Sequence, residues 1–319
     1  MNPRHYSIRL CSLFFFTVFF LSTIGALAAP GTKLQPVAVE KSAVIDGHVV
    51  HDVGELWSHV TNWGLIGSAP GATTPFSDAP SAMWPGGSGN EYLWAAGLWV
   101  GGTVLGEQRV STGGFSSEFL PTEAPGDTIF ATAHGAPGGN RFPWSDADDD
   151  GDGLEDEELL NGLDEDMDGL VDEDFAAIGD QHFVCGYNDF EPAILEIQPD
   201  HTPLNVKVIQ QSIQWSNPLG EDFIGYDFMI TNMGEVDIDQ VYLGMFSDFD
   251  IGPRALPSIA EDDYAGFVST MVQASDGSWV SVQVAYMFDG AETSTVDGYA
   301  GWVLCGHTTD PLGVTAPVE

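Results

Sequence analysis

The sequence predicts a mainly β protein, built from antiparallel sheets packed as a sandwich, with an Asp-rich segment inserted between two β units. The 38 Gly and 19 Pro residues interrupt the chain so often that few stretches carry apolar residues at a sustained helical period. Short segments instead alternate apolar and polar residues, and Gly-containing turn signals separate them. This spacing is typical of antiparallel sandwiches rather than of α/β folds.

The strands follow one another along the whole chain. Residues 92–100 and 103–110 are predicted to form a hairpin, because Gly101 and Gly102 can adopt the positive φ of a tight turn. Further strands are expected at residues 204–215, 223–231, 241–249, 264–272, 279–287 and 299–304. Turn signals lie at residues 232–239, at Asp276-Gly277 and at Asp289-Gly290.

The N-terminus has the order of an export signal. Arg4 and Arg9 precede a mostly apolar run at residues 10–21, and Ala26-Leu27-Ala28 provides a small-x-small cleavage site. We therefore expect a secreted or cell-surface protein whose mature chain begins near Ala29. An uncleaved anchor is the alternative, although the run is shorter than the roughly 20 residues that span a bilayer. No second apolar span follows, so no integral membrane protein is expected after cleavage.

Composition divides the rest of the chain. A β-rich N-terminal unit is expected at residues 29–145, Asp-rich loops at 146–175 and a β-sandwich unit at 176–319. Residues 310–319 carry no closing element, and we expect this last unit to be truncated at its C-terminus. Cys185 and Cys305, which remain after signal removal, could form a disulfide or stay buried and unlinked.

The charge of the chain excludes one class of partner. The formal net charge is −40, and loss of Arg4 and Arg9 with the signal would make it −42. Such a field repels nucleic acid and attracts cations. Adaptation to salt would spread the acids over the surface, yet 16 of the 48 fall within residues 146–174. The concentration of charge therefore indicates a local function for this segment.

Two segments of the acidic block repeat one pattern. Residues 148–157 and 164–173 both fit D-x-D-x-D-G-L-x-D-E. Carboxylates at alternate positions converge when the chain wraps tightly, which the Gly permits, and Ca²⁺ takes six to eight oxygen ligands. Mg²⁺ fits less well because it retains water. The predicted calcium ligands are Asp148, Asp150, Asp152, Asp156, Asp164, Asp166, Asp168 and Asp172.

Electrostatics favour a bound ion over an empty loop. Two carboxylates about 5 Å apart near a protein surface repel by roughly 3 kcal/mol. The alternative interpretation is a solvated acidic linker. An unselected linker would not repeat the ligand spacing with Gly and Leu at matching places, so a calcium site is the preferred prediction.

The repeats resemble thrombospondin type 3 calcium repeats, and more loosely dockerin loops. They differ from an EF-hand, because Leu159 and Phe175 stand at position twelve and only residues 159–163 separate the loops. The resemblance implies calcium that stiffens a junction between extracellular domains. Residues 90–101 and 223–252, taken with the repeats, resemble the N-terminal parts of large, uncharacterised secreted proteins of environmental bacteria. Residues 227–243 look like a strand pair of immunoglobulin-like domains. These resemblances imply location and architecture, but no activity.

Other candidate sites are weaker. Asp248 and Asp250, with the acids at residues 261–263, could form a further cation site or a carboxylate pair, or they could simply be solvated. No zinc motif accompanies His48 and His51. Five Trp residues precede residue 100; they could stack on sugars, but core packing is the simpler interpretation.

Two functions remain open at this point. The favoured hypothesis is a noncatalytic, secreted, calcium-binding structural or adhesion protein in which calcium rigidifies the junction between the two β units. Its expected partner is an extracellular glycan or a cell-surface protein. The alternative is a secreted hydrolase, a glycoside hydrolase or a peptidase, with catalytic residues that the sequence does not identify.

Overall fold

The computed structural model describes residues 7–16, 49–71, 76–114, 118–122, 127–133, 179–256, 263–273, 277–290, 296, 298–308 and 315–316. Within these residues the chain forms sixteen strands and one short helix. In order they are β1 Ser7–Phe16, β2 Val49–His51, β3 Ser58–Val60, β4 Asn90–Glu91, β5 Ala95–Val104, β6 Glu107–Thr112, β7 Phe130–Thr132, β8 Gln181–Asn188, α1 Ile194–Ile197, β9 Val206–Gln214, β10 Phe223–Asn232, β11 Ile238–Asp248, β12 Gly252–Pro253, β13 Asp263–Gln273, β14 Trp279–Asp289, β15 Tyr299–Thr308 and β16 Thr315–Ala316.

The strands build a large antiparallel sheet and three smaller ones. The large sheet has the order β13-β14-β15-β1-β10-β9-β8-β7, and β16 pairs with β15. A second sheet has the order β11-β5-β6, while β12 pairs with β4 and β2 pairs with β3. The prediction of a mainly β, antiparallel, sandwich-like protein is confirmed. Its strands at residues 204–215, 223–231 and 264–272 match β9, β10 and β13 closely.

Strands β10 and β11 follow one another in the chain but lie in different sheets. They fall in the segment that was compared above with a strand pair of immunoglobulin-like domains. Strand β10 lies in the large sheet, whereas β11 pairs with β5 in the second sheet. The Asn232 side chain shapes the connection: its Oδ1 accepts a bond from Gly234 N at 2.9 Å, and its Nδ2 donates to Val236 O at 2.9 Å. An Asn that bonds to its own backbone in this way favours a turn over strand continuation.

The predicted hairpin before residue 110 exists, but its turn lies elsewhere. Gly101 and Gly102 are inside β5, and the chain reverses at Leu105 (φ 53°) and Gly106 (φ 86°). Gly102 serves packing instead, because a Cβ there would lie 2.4 Å from Ile238 Cγ2. The prediction of a Gly-Gly turn was therefore wrong: two glycines permit a turn, but here a close approach of β11 requires one of them.

Residues on the two sides of the acidic block share sheets and a hydrophobic core. Strand β5 pairs with β11, β4 with β12 and β7 with β8. Buried side chains from Leu56, Leu98 and Phe119 on one side pack in the same cluster as Phe228 and Trp302 on the other. The unit boundaries at residues 145 and 176 stay a prediction. The block lies, in the chain, between the paired strands β7 and β8.

Strand β1 overlaps the predicted export signal. It lies between β10 and β15 and runs antiparallel to both, so that Phe14, for example, is in register with Ile224 on one side and Trp302 on the other. Cleavage near Ala29 stays a prediction, and it would remove this strand from the sheet. Within the described residues, no helix is long and apolar enough to cross a membrane.

The two cysteines of the predicted mature chain are separate thiols. Cys185 is buried, and its Sγ lies 3.5 Å from Thr61 O. Cys305 is exposed on β15. A disulfide between them is therefore not formed, and the alternative of two buried thiols holds for Cys185 only.

Candidate functional site

The acidic block connects two strands that lie side by side. It falls between β7 and β8, which pair antiparallel with Thr132 in register with His182 and Phe130 in register with Val184. The chain thus leaves the large sheet at its β7 edge and returns to the neighbouring strand. The eight predicted calcium ligands, residues 148–172, lie outside the described residues. The structure describes the chain up to residue 133 and again from residue 179.

The segment before β7 is anchored by a buried carboxylate. Asp127 is 0% exposed, and its Oδ2 accepts hydrogen bonds from Thr122 N and Thr122 Oγ1, both at 2.7 Å. Its Oδ1 lies 3.1 Å from Lys207 Nζ on β9, and its carbonyl accepts a bond from Asn62 Nδ2 at 2.7 Å. A buried carboxylate needs such partners because an unpaired buried charge is costly. The segment before β7 is therefore held to the large sheet.

The exit from the block is anchored just before β8. Asp180 Oδ2 accepts bonds from Ser216 N at 2.7 Å and from Ser216 Oγ at 2.6 Å. Gly179 adopts φ 79°, and a Cβ there would lie 2.5 Å from Ile213 Cγ2. Gln181 Oε1 accepts a bond from Asp52 N at 2.8 Å. The chain therefore returns to the sheet at a defined position.

The connection between β7 and β8 begins and ends on paired strands. The entropic cost of closing a loop rises with its length, by about 0.6 kcal/mol for each doubling. A cation bound by several carboxylates within residues 146–174 would shorten the span to be closed, and it would reduce the repulsion among the acids. Both effects would stabilise the pairing of β7 with β8.

The second predicted cation site is not assembled from the described residues. Asp248 ends β11, Asp250 is 5% exposed, and Asp263 begins β13, where its Oδ2 accepts a bond from Ile251 N at 3.1 Å. Residues 261–262 lie outside the described part of the chain. Among described residues, no group of three or more His, Cys, Asp or Glu side chains could hold a metal ion.

A Ser–His pair lies on the inner side of the large sheet. His51 Nε2 is 2.9 Å from Ser212 Oγ, and the His51 ring contacts Phe183 at 4.5 Å. Both His51 and Ser212 are 0% exposed. Burial, with a further contribution from His182, lowers the pKa of His51 to about 3. A serine with no exposed surface cannot meet a substrate, so this pair has a structural role. His48, its neighbour in the sequence, lies outside the described residues.

A second polar cluster joins β6, β8 and the chain before β9. Asp189 is 0% exposed and accepts bonds from Ser111 Oγ at 2.6 Å, Leu204 N at 2.7 Å and Val206 N at 2.8 Å. His201 Nε2 donates to Asp189 O at 2.8 Å, and its Nδ1 lies 3.6 Å from Glu118 Oε1. Because His201 contacts the backbone of Asp189 and not Ser111, the cluster does not form a nucleophile–base pair.

Burial and hydrogen bonding shift the pKa values of Asp189 and His201 in this second cluster in opposite directions. Burial raises the pKa of Asp189 above its ordinary value despite the three bonds that favour the carboxylate. For His201, burial lowers the pKa, but the bonds to Glu118 and Asp189 outweigh it and the net pKa is raised. The raised pKa of His201 favours the protonated ring beside Glu118, and the buried polar bonds indicate that this cluster stabilises the connection before β9.

A buried ion pair fixes the segment before β4. Glu91 is 1% exposed; its Oε2 accepts a bond from Ser81 N at 2.7 Å, and its Oε1 lies 3.0 Å from Arg254 Nε. Burial raises the pKa of Glu91 to about 7, although Arg254 acts in the opposite direction. Arg254 Nη1 also donates to Asp78 O at 2.8 Å. The pair thus ties residues 78–91 to the end of β12.

The aromatic residues divide into core and surface. Of the five Trp residues before residue 100, Trp63 and Trp94 are buried, in agreement with core packing, and Trp57 and Trp84 are half-buried. Trp99 is 40% exposed, stacks on Phe246 at 5.4 Å and donates Nε1 to Gly113 O at 3.2 Å. Trp279, at the start of β14, is 63% exposed. The sequence predicted a strand at residues 279–287 but not the exposure of Trp279, because an alternating pattern does not show whether both faces of a strand are exposed.

No protein-family model, no curated protein and no solved structure matches this chain.

Proposed function

We propose that this chain is a secreted, calcium-binding structural or adhesion-type protein, in which calcium bound within residues 146–174 rigidifies the connection between β7 and β8. The observation that carries the proposal is the repeated ligand spacing D-x-D-x-D-G-L-x-D-E at residues 148–157 and 164–173. Its partner class is an extracellular glycan or a cell-surface protein, and its sandwich is of the immunoglobulin-like kind.

The anchors at the two ends of the block support a structural role. Asp127 holds the entry through Thr122 and Lys207, and Asp180 holds the exit through Ser216. A loop fixed at both ends transmits the free energy of ion binding to the strands it connects. A sensor would need a segment with freely moving ends, whereas the chain before residue 134 and after residue 178 is bonded to β9 through Asp127 and Asp180.

The hydrolase alternative lacks a supporting site among the described residues. The Ser–His pair of Ser212 and His51 is fully buried, and the acids Asp127, Asp189 and Glu91 are bonded to neighbouring backbone or basic groups. A second function is therefore not proposed from these groups.

Calorimetric titration of the purified chain with CaCl₂ tests the proposal. We expect binding heat that Asp150→Ala removes for the first loop and Asp166→Ala removes for the second. Asp237→Ala is the matched control, because Asp237 is an exposed acid outside the block and its loss leaves a comparable change of charge. Its titration should equal that of the parent chain.

Limited proteolysis supplies the second readout. With Ca²⁺ present, residues 146–174 should resist cleavage, and a chelator should make them the first region cut. Absence of binding heat, or unchanged heat in both loop variants, would overturn calcium binding. If calcium binding releases heat but cleavage is the same with and without the chelator, residues 146–174 bind calcium without being rigidified by it.

A further inference from the structure

One face of the second sheet carries exposed aromatic side chains. Trp99 of β5 is in register with Gly244 of β11, and Gly101 of β5 is in register with Tyr242. Residues in register, and those two apart along a strand, lie on the same face of a sheet. Tyr242 is 72% exposed and Trp99 40%, so this face is turned to solvent. We call it the aromatic face, and it consists of Gly97, Trp99, Gly101, Val110, Thr112, Tyr242, Gly244 and Phe246.

Two glycines leave a slot between the side chains of Trp99 and Tyr242. Phe246 stacks on one side of the Trp99 ring, with ring centroids 5.4 Å apart and an interplanar angle of 9°. Along β11, Phe246 and Tyr242 lie on opposite sides of Gly244, so the other side of the Trp99 ring is turned toward Tyr242. A Cβ on Gly244 would meet no atom within 4 Å, and a Cβ on Gly101 would find its nearest atom at 3.7 Å. The floor of the slot therefore carries no side chain.

The width of the slot fits a flat ring. Trp99 and Tyr242 are diagonal neighbours on adjacent antiparallel strands, and residues in this relation lie about 7–8 Å apart. Apolar groups in contact are about 4 Å apart, so one flat group fits between the two side chains and touches both. A pyranose ring presents C–H groups on its faces and hydroxyl groups around its rim. The C–H groups carry partial positive charge, which the negative π face of an aromatic ring attracts.

The Trp99 ring is held in position by the protein itself. Its Nε1 donates a hydrogen bond to Gly113 O at 3.2 Å, and Phe246 packs against the side that faces away from the slot. A ring that is already fixed loses little conformational freedom when a ligand binds. Gln108, exposed two residues before Val110 on β6, offers an amide to the hydroxyl groups of a sugar.

Charge favours a neutral glycan over other occupants of the slot. None of the eight residues of the aromatic face is charged, whereas the whole chain has a net charge of −40. An anionic glycan, a nucleic acid and a second copy of this chain are all repelled by that charge. A cationic ligand finds no acid on the aromatic face with which to pair. A neutral glycan meets neither obstacle.

The size of the aromatic face favours a glycan over a protein. Three strands with five residues each span about 14 Å by 17 Å, or roughly 240 Å². A stable protein interface buries roughly 800 Å² on each partner, so most of it would lie outside this face. A glycan that inserts one ring into the slot needs no larger area.

We propose that the slot between Trp99 and Tyr242 binds a pyranose ring of a neutral polysaccharide, which stacks on the open side of the Trp99 indole. This inference rests on the proposed function, because it takes up the partner class named there and chooses the glycan over the cell-surface protein. Every residue of the aromatic face lies outside residues 146–174. The segments that carry the face, residues 92–114 and 232–256, are described without a gap.

Equilibrium binding of the purified full chain to insoluble neutral polysaccharides tests the proposal. The probes are cellulose, mannan, curdlan and cross-linked dextran. We expect at least one of them to bind the chain, and Trp99→Ala to weaken that binding about tenfold or more, as the loss of a central aromatic contact usually does. Trp279→Ala is the matched control, since Trp279 is an exposed Trp of β14 outside the aromatic face, and it should bind as the parent does.

A second variant covers the case in which Trp99→Ala disturbs the sheet. Gly244→Val places a side chain in the slot, at a position where a Cβ meets no atom within 4 Å. The melting temperature should therefore stay that of the parent, while binding is lost. Binding that survives Gly244→Val, or that Trp279→Ala also removes, would overturn the proposal.

Salt and calcium separate the alternatives. Binding of an uncharged sugar should be the same at low and high NaCl, because no charge pair is screened; binding that disappears in salt would assign the contact to charge and overturn the proposal. Calcium heat without binding to any of the four polysaccharides would overturn this inference and leave the calcium proposal. Polysaccharide binding without calcium heat would have the opposite meaning.

Discussion

At the residue scale, the molecule is defined by polar groups that are fully buried. His51, Ser212, Asp189 and Asp127 are all 0% exposed. Each has a hydrogen-bonding partner on another strand or loop, and such long-range bonds fix how the segments before residue 133 sit on the large sheet. Removing a partner from such a group costs about 1–3 kcal/mol, because the remaining group stays buried and unsatisfied.

The buried histidines predict loss of stability in acid. The pKa of His51 is lowered to about 3 and that of His182 to about 4, mainly by burial, from an ordinary value of 6.5. As pH falls below 6.5 the unfolded chain takes up these protons first. The free energy of unfolding should then fall by up to about 1.4 kcal/mol per pH unit for each histidine, until its folded pKa is reached.

Glu91 acts with the opposite sign. Its pKa is raised from 4.5 to about 7, so the folded protein binds its proton first, and this group stabilises the fold as pH falls from 7 to 4.5. Chemical denaturation between pH 8 and 3 measures the sum. His51→Gln, which keeps a donor near Ser212, should make the acid loss shallower, and Glu91→Gln should make it steeper. Equal slopes in all three proteins would refute this assignment.

Residue roles were the least predictable from sequence. The described residues include five buried acids, Glu91, Asp127, Asp189, Asp227 and Asp250, and no local pattern separates them from the other acids among the 48 of the chain. Their burial depends on strands far away in the chain, such as β9 for Asp127 and Asp189. The eight calcium ligands could be predicted because their spacing is local, and they stay a prediction.

At the scale of elements, close packing of β5 against β11 decides the role of adjacent glycines. A Cβ on Gly102 would lie 2.4 Å from Ile238 Cγ2, whereas a Cβ on Gly101 would find its nearest atom, Arg109 O, at 3.7 Å. Both residues are on the same strand and differ only in what faces them. Comparing alanine substitutions at Gly101 and Gly102 therefore separates the effect of packing on stability from that of backbone propensity.

Gly102→Ala should destabilise the chain by about 1–3 kcal/mol, the usual cost of forcing extra volume into a packed site. Gly101→Ala should be neutral or slightly stabilising, because alanine restricts the unfolded chain and fits the available space. Urea unfolding of both variants measures the difference. If the two variants were equally stable, β11 would not approach β5 as closely as the structure shows.

Strands were predictable as elements but not as neighbours. Alternation of apolar and polar residues marks β9 and β10 locally, and both strands contribute side chains to the core, whereas β13 has no buried position. The pairing of β5 with β11 joins segments more than 130 residues apart and has no local signal. Likewise, the turn at Leu105 (φ 53°) uses a residue that rarely adopts this conformation, and the more permissive Gly101 and Gly102 drew the prediction away from it.

At the scale of the whole molecule, net charge and specific ion binding should affect the stability of the fold in different ways. A formal charge of −40 destabilises the compact state, and any salt reduces this by screening. A calcium site adds a stabilisation that depends on the ion, because binding to the folded state shifts the folding equilibrium.

Thermal melting in CaCl₂, MgCl₂ and NaCl at equal ionic strength distinguishes the two effects. We expect the highest Tm in CaCl₂, a lower one in MgCl₂ and the lowest in NaCl. The difference between CaCl₂ and NaCl should disappear in a variant carrying both Asp150→Ala and Asp166→Ala. Identical Tm values in all three salts would mean that screening alone acts on this chain.

The local pattern of residues was sufficient for the fold class and for the candidate calcium ligands, because period-two alternation and ligand spacing are both properties of neighbouring positions. The tertiary structure alone decided that the acidic block joins two paired strands, that segments on its two sides share a core, and that strands β13 and β14 are mostly exposed. These features depend on contacts between distant segments, whose free energy no local stretch of the sequence records.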